Sequence, residues 1–317
     1  MKTRPTQALT VLPSRMHELS LARIPIAAAA AERIHDLTHA AKSANTRLAY
    51  DSRWRLFKRW CQRRGLTAMP ADVNTIGLYF DAMVQAGKSV STIEAHRNAI
   101  SVAHKLDKQR NPDGLNPVSD PRVRELIKGI RRTLGTAQKR AKPVLASELK
   151  ELAATLAPRD RALLLLLFSG AFRGSEVVSL LVEDLSFEKD GLKVLLRKSK
   201  TDQEAEGFTK GIVFGHGPAC PVAAMKAWIG DRTDGFVFPG RDDGHLGCQA
   251  LYEIVKRKLG PEYSSHSFRA GFVTSAFLAG KGVDSIQAQT GHRSLEMLLR
   301  YRRSLNVFTG NAGEGLL

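Results

Sequence analysis

The chain has 317 residues, about twice the length of an average domain, and its 43% hydrophobic and 25% charged residues are typical of a globular protein. This composition argues against a mainly disordered, fibrous or membrane-spanning chain. The formal net charge is +17, and residues 1–142 hold 26 of the 48 Lys and Arg but only 11 of the 31 Asp and Glu. Such a surplus favours a polyanionic partner, most commonly nucleic acid, over a protein that is basic for solubility alone.

The first half of the chain is predicted to be helical. Residues 1–30 carry three prolines and no clear periodicity, which predicts a flexible N-terminal arm. Residues 31–134 form the predicted DNA-binding domain. Ser91 and Glu94 have the spacing of a capping box at the start of its third helix. Apolar spacing predicts its four helices at residues 46–64, 73–86, 91–105 and 121–134.

The second half combines helices with a small sheet. A polar, basic stretch predicts a linker at residues 135–143, and residues 144–317 form the predicted catalytic domain. Two β-like runs, 193–197 and 211–214, predict a small antiparallel hairpin sheet. The fold class is therefore mainly α. The predicted helices of this half begin at about residue 147 and then cover 160–169, 175–182, 222–229, 249–259, 268–279, 283–289 and 295–302.

Basic side chains are concentrated on the helices and the linker of the first half. The helix at 46–64 places Trp54 and Phe57 on one side and a row of arginines and lysines on the other. This pattern predicts a core-facing side and a side that contacts DNA phosphates, with a merely solvated face as the alternative. The candidate DNA-binding residues are Arg47, Arg53, Lys88, Arg97, Arg122, Arg131, Arg132, Lys139 and Arg140.

Several common catalytic motifs are missing from the sequence. It contains no P-loop, no HExxH zinc motif, no GxSxG nucleophile elbow and no dense carboxylate set for two metal ions. Its cysteines, Cys61, Cys220 and Cys248, are too few and too far apart for a disulfide framework, which favours a reducing compartment. We therefore expect chemistry without ATP, cofactor or catalytic metal, and assign no metal-binding residue.

The second half carries a series of cationic and tyrosyl side chains in a specific order. His266 and Arg269 are one helical turn apart, so both can project to one side, and Tyr301 follows His292 by nine residues. Each residue alone has an ordinary explanation as a surface or packing side chain. The joint order is the specific signal. The candidate site residues are Arg173, Glu176, Lys200, His266, Arg269, His292 and Tyr301.

That order resembles the active site of the tyrosine recombinase (phage integrase) family. The resemblance extends over about residues 35–317, and the two-domain organisation is most similar to the Cre- and Xer-type members. It implies that the candidate residues form one site, with Glu176 as an accessory group that orients it. It also implies a DNA strand transferase that works by transesterification.

The resemblance implies a role for each group. Tyr301 attacks a phosphodiester, and because a tyrosine hydroxyl has a pKa of about 10, His266 serves as base or proton shuttle. The two arginines and His292 neutralise the charge that develops on the non-bridging oxygens. Lys200 protonates the leaving 5′-hydroxyl, and Lys198, two residues away, is the alternative for that role.

The resemblance further implies site-specific recombination through a 3′-phosphotyrosine and a Holliday junction. The expected partner is double-stranded DNA with an inverted-repeat target, bound by a homotetramer on two sites, without a membrane. The expected location is the bacterial cytoplasm, in association with the nucleoid or a plasmid. Two alternatives remain open: a type IB topoisomerase that relaxes DNA, and a catalytically inactive DNA-binding regulator.

Overall fold

The computed structural model describes residues 30, 43–107, 109–136, 141–197, 207–241, 244–292 and 294–302. Its α-helices are α1 Ala44–Gln62, α2 Val73–Gln85, α3 Val90–Leu106, α4 Pro121–Leu134, α5 Ala146–Ala153, α6 Pro158–Ser169, α7 Gly174–Val178, α8 Pro221–Ile229, α9 Cys248–Leu259, α10 Ser265–Leu278, α11 Val283–Thr290 and α12 Leu295–Arg302. Its strands are β1 Leu185–Glu188, β2 Gly191–Leu196 and β3 Phe208–Val213.

The chain divides into two compact units, residues 1–138 and 139–317. The division falls inside the range predicted as a linker, while the predicted N-terminal arm lies outside the described residues apart from residue 30. Helices α1 to α4 build the first unit, and the second combines the remaining helices with a three-stranded sheet. The predicted mainly α fold class is confirmed. No helix in the described part of the chain is both long and apolar enough to cross a membrane.

The first unit has an aromatic core with one buried polar pair. Phe57 and Trp60 on α1 pack edge-on against Tyr79 on α2, with ring centroids 4.9 and 5.1 Å apart. The Tyr79 hydroxyl lies 2.8 Å from Nδ1 of His96 on α3, so the two buried polar groups satisfy each other. Burial, followed by the positive charges of nearby basic residues, lowers the pKa of His96 to about 4. Its imidazole is therefore neutral in the core at neutral pH.

The start of α3 differs from the prediction. Ser89, not Ser91, is the N-cap, and its Oγ accepts a hydrogen bond from the Thr92 backbone amide at 3.3 Å. Starting the helix at Val90 buries that side chain in the core, which a start two residues later would not do. Glu94 is not part of a capping box. Its carboxylate accepts instead from Arg131 Nε on α4 at 2.6 Å.

The sheet of the second unit is antiparallel in the order β1-β2-β3. The predicted hairpin corresponds to β2 and β3, whereas β1 was not predicted, and the helix predicted at 175–182 ends at residue 178. The inward positions of β2 are apolar and alternate with exposed ones, as expected for a sheet with one buried face. On β3 the two buried positions are Lys210 and Ile212, so a lysine occupies a core position of this sheet.

Helix α6 is the central element of the second unit. Residues 162–167 are all buried, which is typical of a helix surrounded by other elements. The segment 141–145 passes directly over α10, because a Cβ added at Gly271 would lie 1.7 Å from the Val144 carbonyl oxygen. The Val144 amide also donates to the Ser267 carbonyl at 3.0 Å. Helix α10, which carries two of the candidate site residues, therefore packs directly against this segment.

Candidate active site

Arg173 lies at the N-terminus of α7 and is held by a carboxylate one turn later. One Glu176 oxygen accepts from the Arg173 backbone amide at 2.9 Å, and the other accepts from its Nη1 at 2.5 Å. The Glu176 side chain is 4% exposed and that of Arg173 is 23% exposed. The guanidinium therefore keeps access to solvent while the carboxylate that orients it is buried. Glu176 thus holds both the backbone and the guanidinium of Arg173.

A close approach of two helices brings Arg173 to the rest of the site. A Cβ added at Gly174 would lie 2.8 Å from Oγ of Ser265, so the start of α7 packs against the start of α10 with no space for a larger residue. Arg269, one turn into α10, is 2% exposed. Burial, followed by the charge of Arg173, lowers the pKa of Arg269 to about 10, so its guanidinium remains charged at neutral pH.

His292 follows the left-handed Gly291 that ends α11. Its Nδ1 lies 2.7 Å from the Thr290 hydroxyl, which itself donates to the Ile286 carbonyl at 2.7 Å. These partners assign the imidazole proton to Nδ1 and leave Nε2 as an acceptor, 3.4 Å from Nη2 of Arg269. Burial, followed by Arg269 and Arg173, lowers the pKa of His292 to about 3. Donation from Nε2 to a phosphate oxygen would thus require a proton to move onto that atom.

Tyr301 on α12 and His266 on α10 form a hydrogen bond, although they are 35 residues apart in the chain. The Tyr301 hydroxyl lies 3.0 Å from Nε2 of His266, and its ring packs on the cluster of Val273, Ile286 and Leu298. Partial desolvation by the surrounding protein, followed by the charges of the two site arginines, lowers the pKa of His266. Its imidazole is therefore neutral at neutral pH and can accept the Tyr301 proton.

The structure gathers the candidate residues from separate elements into one place, with the exception of the lysine. Arg173, Glu176, His266, Arg269, His292 and Tyr301 are linked by the contacts above. Lys200 and its alternative Lys198 lie outside the described residues. One residue was missed by sequence reasoning: Lys210 on β3 is 3% exposed and interacts electrostatically with both site arginines and with Glu176. Its only sequence signal is the two-residue spacing from the apolar Ile212.

The candidate DNA-binding residues differ in their surroundings. Arg122 forms two hydrogen bonds of 3.0 Å with Asp120, and Arg131 pairs with Glu94, so these arginines are engaged by neighbouring carboxylates. Lys88 and Arg132 are exposed. Arg47, Arg53 and Arg97 are half-buried, and Lys139 and Arg140 lie outside the described residues.

A basic depression in the first unit was not singled out from the sequence. It has a volume of about 300 Å³, and its rim includes Arg59 of α1, Arg63 and Arg64 just after that helix, and Lys88. The Arg64 guanidinium lies over the Trp60 ring, 4.5 Å from its centroid. Four cations around one concave surface are suited to a phosphate backbone. In the sequence, the three arginines lie on the polar side of the predicted helix 46–64, so its apolar spacing already indicated a basic surface here.

Comparisons with known proteins agree on one family. The family model described as "Phage integrase family" matches residues 142–306, more than half of the chain. An integrase/recombinase xerD homolog of Selenomonas ruminantium is 32% identical over 292 residues, covering 86% of this chain and 85% of that protein. A tyrosine recombinase of Synechococcus elongatus is 28% identical over 301 residues, covering 87% and 89%.

A solved structure with the same fold is that of the Tn1549 transposon integrase in complex with circular intermediate DNA. It aligns with a TM-score of 0.58 at 16% identity, covering 82% of this chain and 90% of that one. This similarity concerns the fold. The two chains therefore share a fold over most of their lengths.

Proposed function

The chain belongs to the phage integrase family of tyrosine recombinases, and from that premise we propose how its own residues cleave and rejoin DNA. It is a site-specific DNA recombinase that transfers strands by transesterification. The observation that carries the proposed chemistry is the 3.0 Å hydrogen bond between Tyr301 and His266, formed beside the buried guanidinium of Arg269. The relatives are recombinases, which favours this activity over a topoisomerase or an inactive regulator.

In the cleavage step, the Tyr301 oxygen forms a bond to the scissile phosphorus and its proton passes to Nε2 of His266. The bond between phosphorus and the 5′ oxygen breaks, and Lys200 gives that oxygen its proton. The products are a 3′-phosphotyrosine and a free 5′-hydroxyl. One ester replaces another, so the reverse reaction with a new strand needs no ATP.

Two guanidiniums support the step from the side of the non-bridging oxygens. Arg173 is partly open to solvent and oriented by Glu176, whereas Arg269 is buried and bonded to protein groups. Such fixed donors stabilise the developing charge without reorganising during the reaction. Because the charge of Arg173 lowers the pKa of Arg269, a bound phosphate relieves the repulsion between them and is favoured at this place.

We further propose the assembly in which this chemistry operates. A homotetramer binds two double-stranded sites with inverted repeats and exchanges strands in two steps through a Holliday junction. Residues 31–134 supply most of the DNA contacts and residues 144–317 the catalytic groups. The basic first half of the chain supports this division. The enzyme acts in the cytoplasm, on the DNA of the nucleoid or of a plasmid.

A covalent-capture experiment tests the function. The wild-type protein is incubated with a pool of duplexes that have a randomised central segment, and adducts that resist denaturant are sequenced. We expect one recovered inverted-repeat sequence, joined to protein at a 3′ phosphate. Relaxation of a supercoiled plasmid without that sequence would instead identify a topoisomerase. Selective binding without any adduct would identify a regulator.

We also expect cleavage to persist in excess EDTA. The reason is that the charge on the phosphate is neutralised by arginines, and no group of three or more metal-ligating side chains occurs among the described residues. The measurement is the rate of adduct formation on the recovered sequence, after dialysis against the chelator. A rate that falls with chelation and recovers on addition of Mg²⁺ would contradict the proposed mechanism.

The two units should differ in how they bind DNA. Residues 1–138 hold 23 Lys and Arg against 11 Asp and Glu, whereas residues 139–317 hold 25 against 20. The first fragment should therefore bind DNA with a log–log salt slope of about −0.9 per phosphate neutralised, and the second more weakly. Titrations of each fragment at several salt concentrations measure this. Equal affinity of the second fragment and the full chain would contradict the division.

A further inference from the structure

Helix α6 ends in a turn whose backbone carbonyls are held by side chains from three other elements. The last carbonyls of a helix have no partner within it and carry the negative end of its dipole. We call residues 169–171 the carbonyl turn. Its three hydrogen bonds run from Gln289 Nε2 on α11 to Ser169 O at 3.0 Å, from Lys210 Nζ on β3 to Gly170 O at 2.6 Å, and from Arg269 Nη1 on α10 to Ala171 O at 2.7 Å.

The carbonyl turn has an unusual backbone. Ala171 has a φ of +46°, in the left-handed region that side chains other than glycine rarely adopt. A Cβ added at Gly170 would lie 2.0 Å from the Phe172 ring. Such a conformation persists only where the surroundings hold it. Arg173 follows two residues after Ala171, so the direction in which its guanidinium points depends on this turn.

Lys210 is a charged member of this arrangement that the cleavage chemistry does not use. Its ammonium is buried, 4.7 Å from the centroid of the Phe172 ring, and donates to the Gly170 carbonyl. Glu176 favours its charge, and both site arginines oppose it. A buried cation beside two others is costly, and a methionine would fill the same space without that cost. Packing alone therefore does not favour a lysine at this position, which indicates a functional role for its charge.

We propose that Lys210 is a positioning residue for DNA cleavage: its ammonium holds the Gly170 carbonyl and so orients the turn from which Arg173 reaches the scissile phosphate. The inference rests on the proposed function of the site. The ammonium is buried and bonded to backbone, so it acts through Arg173 and does not touch the DNA. A phosphate bound between the arginines offsets their repulsion of Lys210, which makes the positioned state more favourable when substrate is present.

The test compares Lys210→Met with Lys193→Met, a matched control. Lys193 lies on the neighbouring strand β2 but is exposed and paired with Glu188. The probe is a nicked duplex that carries the sequence recovered by covalent capture, at saturating concentration. We expect adduct formation by Lys210→Met to slow by up to about 100-fold, the effect of a displaced positioning group, with unchanged DNA affinity. Lys193→Met should match the wild type. Equal rates for all three proteins would overturn the proposal.

The pH dependence separates positioning by charge from simple packing. Burial, followed by the charges of Arg269 and Arg173, lowers the pKa of Lys210 to about 7, while Glu176 acts in the opposite direction. The wild type therefore has its full advantage over Lys210→Met below the pKa of the lysine in the DNA complex, and loses it as the pH rises through that value. A ratio of rates that stays constant with pH would assign the loss to packing and overturn the proposal.

A second variant and a second substrate distinguish the remaining outcomes. If Lys210→Met does not fold, as judged by thermal melting, Lys210→Arg carries the test: its rate relative to the wild type should rise with pH, because a guanidinium stays charged. A constant ratio would again overturn the proposal. A 5′-bridging phosphorothiolate should not rescue Lys210→Met, and rescue would make Lys210 a proton donor instead. Absence of any adduct from the wild type would contradict the proposed function itself, not this inference.

Discussion

The Tyr301→Phe protein is expected to form no covalent adduct with DNA while it binds its target within about twofold of the wild-type affinity. The substitution removes only the oxygen that attacks phosphorus and that lies 3.0 Å from His266. The aromatic ring, which packs on the Val273 cluster, remains in place. Affinity rests mainly on contacts between basic side chains and phosphates, which this change does not touch.

The measurement combines a mobility-shift titration with denaturing electrophoresis of a nicked duplex that traps the cleaved state. Tyr252→Phe is the matched control, because Tyr252 is an exposed tyrosine on α9 outside the site. It should form adduct at the wild-type rate. An adduct from Tyr301→Phe that survives denaturant would show that another residue is the nucleophile, and a large loss of affinity would show that Tyr301 serves binding as well.

Lys200→Ala is expected to slow cleavage of ordinary DNA by about 10²- to 10⁴-fold, the usual contribution of a general acid. The defect should nearly vanish on a 5′-bridging phosphorothiolate, because a thiolate leaves without a proton. Single-turnover rates on the two substrates give the comparison. A defect of equal size on both would remove Lys200 from the role of proton donor.

Two control variants sharpen this prediction. Arg173→Ala should be equally slow on both substrates, because Arg173 serves the non-bridging oxygens and not the leaving group. Lys198→Ala tests the alternative lysine, which is two residues from Lys200. Rescue of Lys198→Ala in place of Lys200→Ala would move the role two residues upstream.

The sequence predicted those parts of the fold that depend on local periodicity. The long helices of both units occur close to their expected positions, because their apolar spacing coincides with burial. The start of α3 was misplaced, since Ser89 and Ser91 are equally good caps locally and only the burial of Val90 decides between them. Strand β1 was missed because it is four residues long and mostly exposed, so it shows no apolar alternation.

The sequence named six residues that the structure brings together, but not their geometry. The order of charged and tyrosyl residues identified Arg173, Arg269 and Tyr301, because each type has a chemical reason to be there. The sequence did not predict that His292 carries its proton on Nδ1, since that depends on the Thr290 hydroxyl, which donates to the Ile286 carbonyl at a helix end. Lys210 was missed because a lysine in a short strand is normally solvated. Its burial arises from long-range packing.

The segment at residues 141–145 has a consequence for modular engineering of this enzyme. Its backbone amides donate to the carbonyls of Glu262 and Ser267, and the Ala146 amide donates to Ser275 Oγ. This stretch is therefore bonded to α10 and to the residues just before that helix. Gly271 leaves no space for a displaced strand at that crossing. A chimera that exchanges the DNA-binding unit should therefore be joined upstream of residue 141. A junction placed later would pack a foreign backbone against the helix of His266 and Arg269. The chimera would then gain new target specificity but lose catalytic activity.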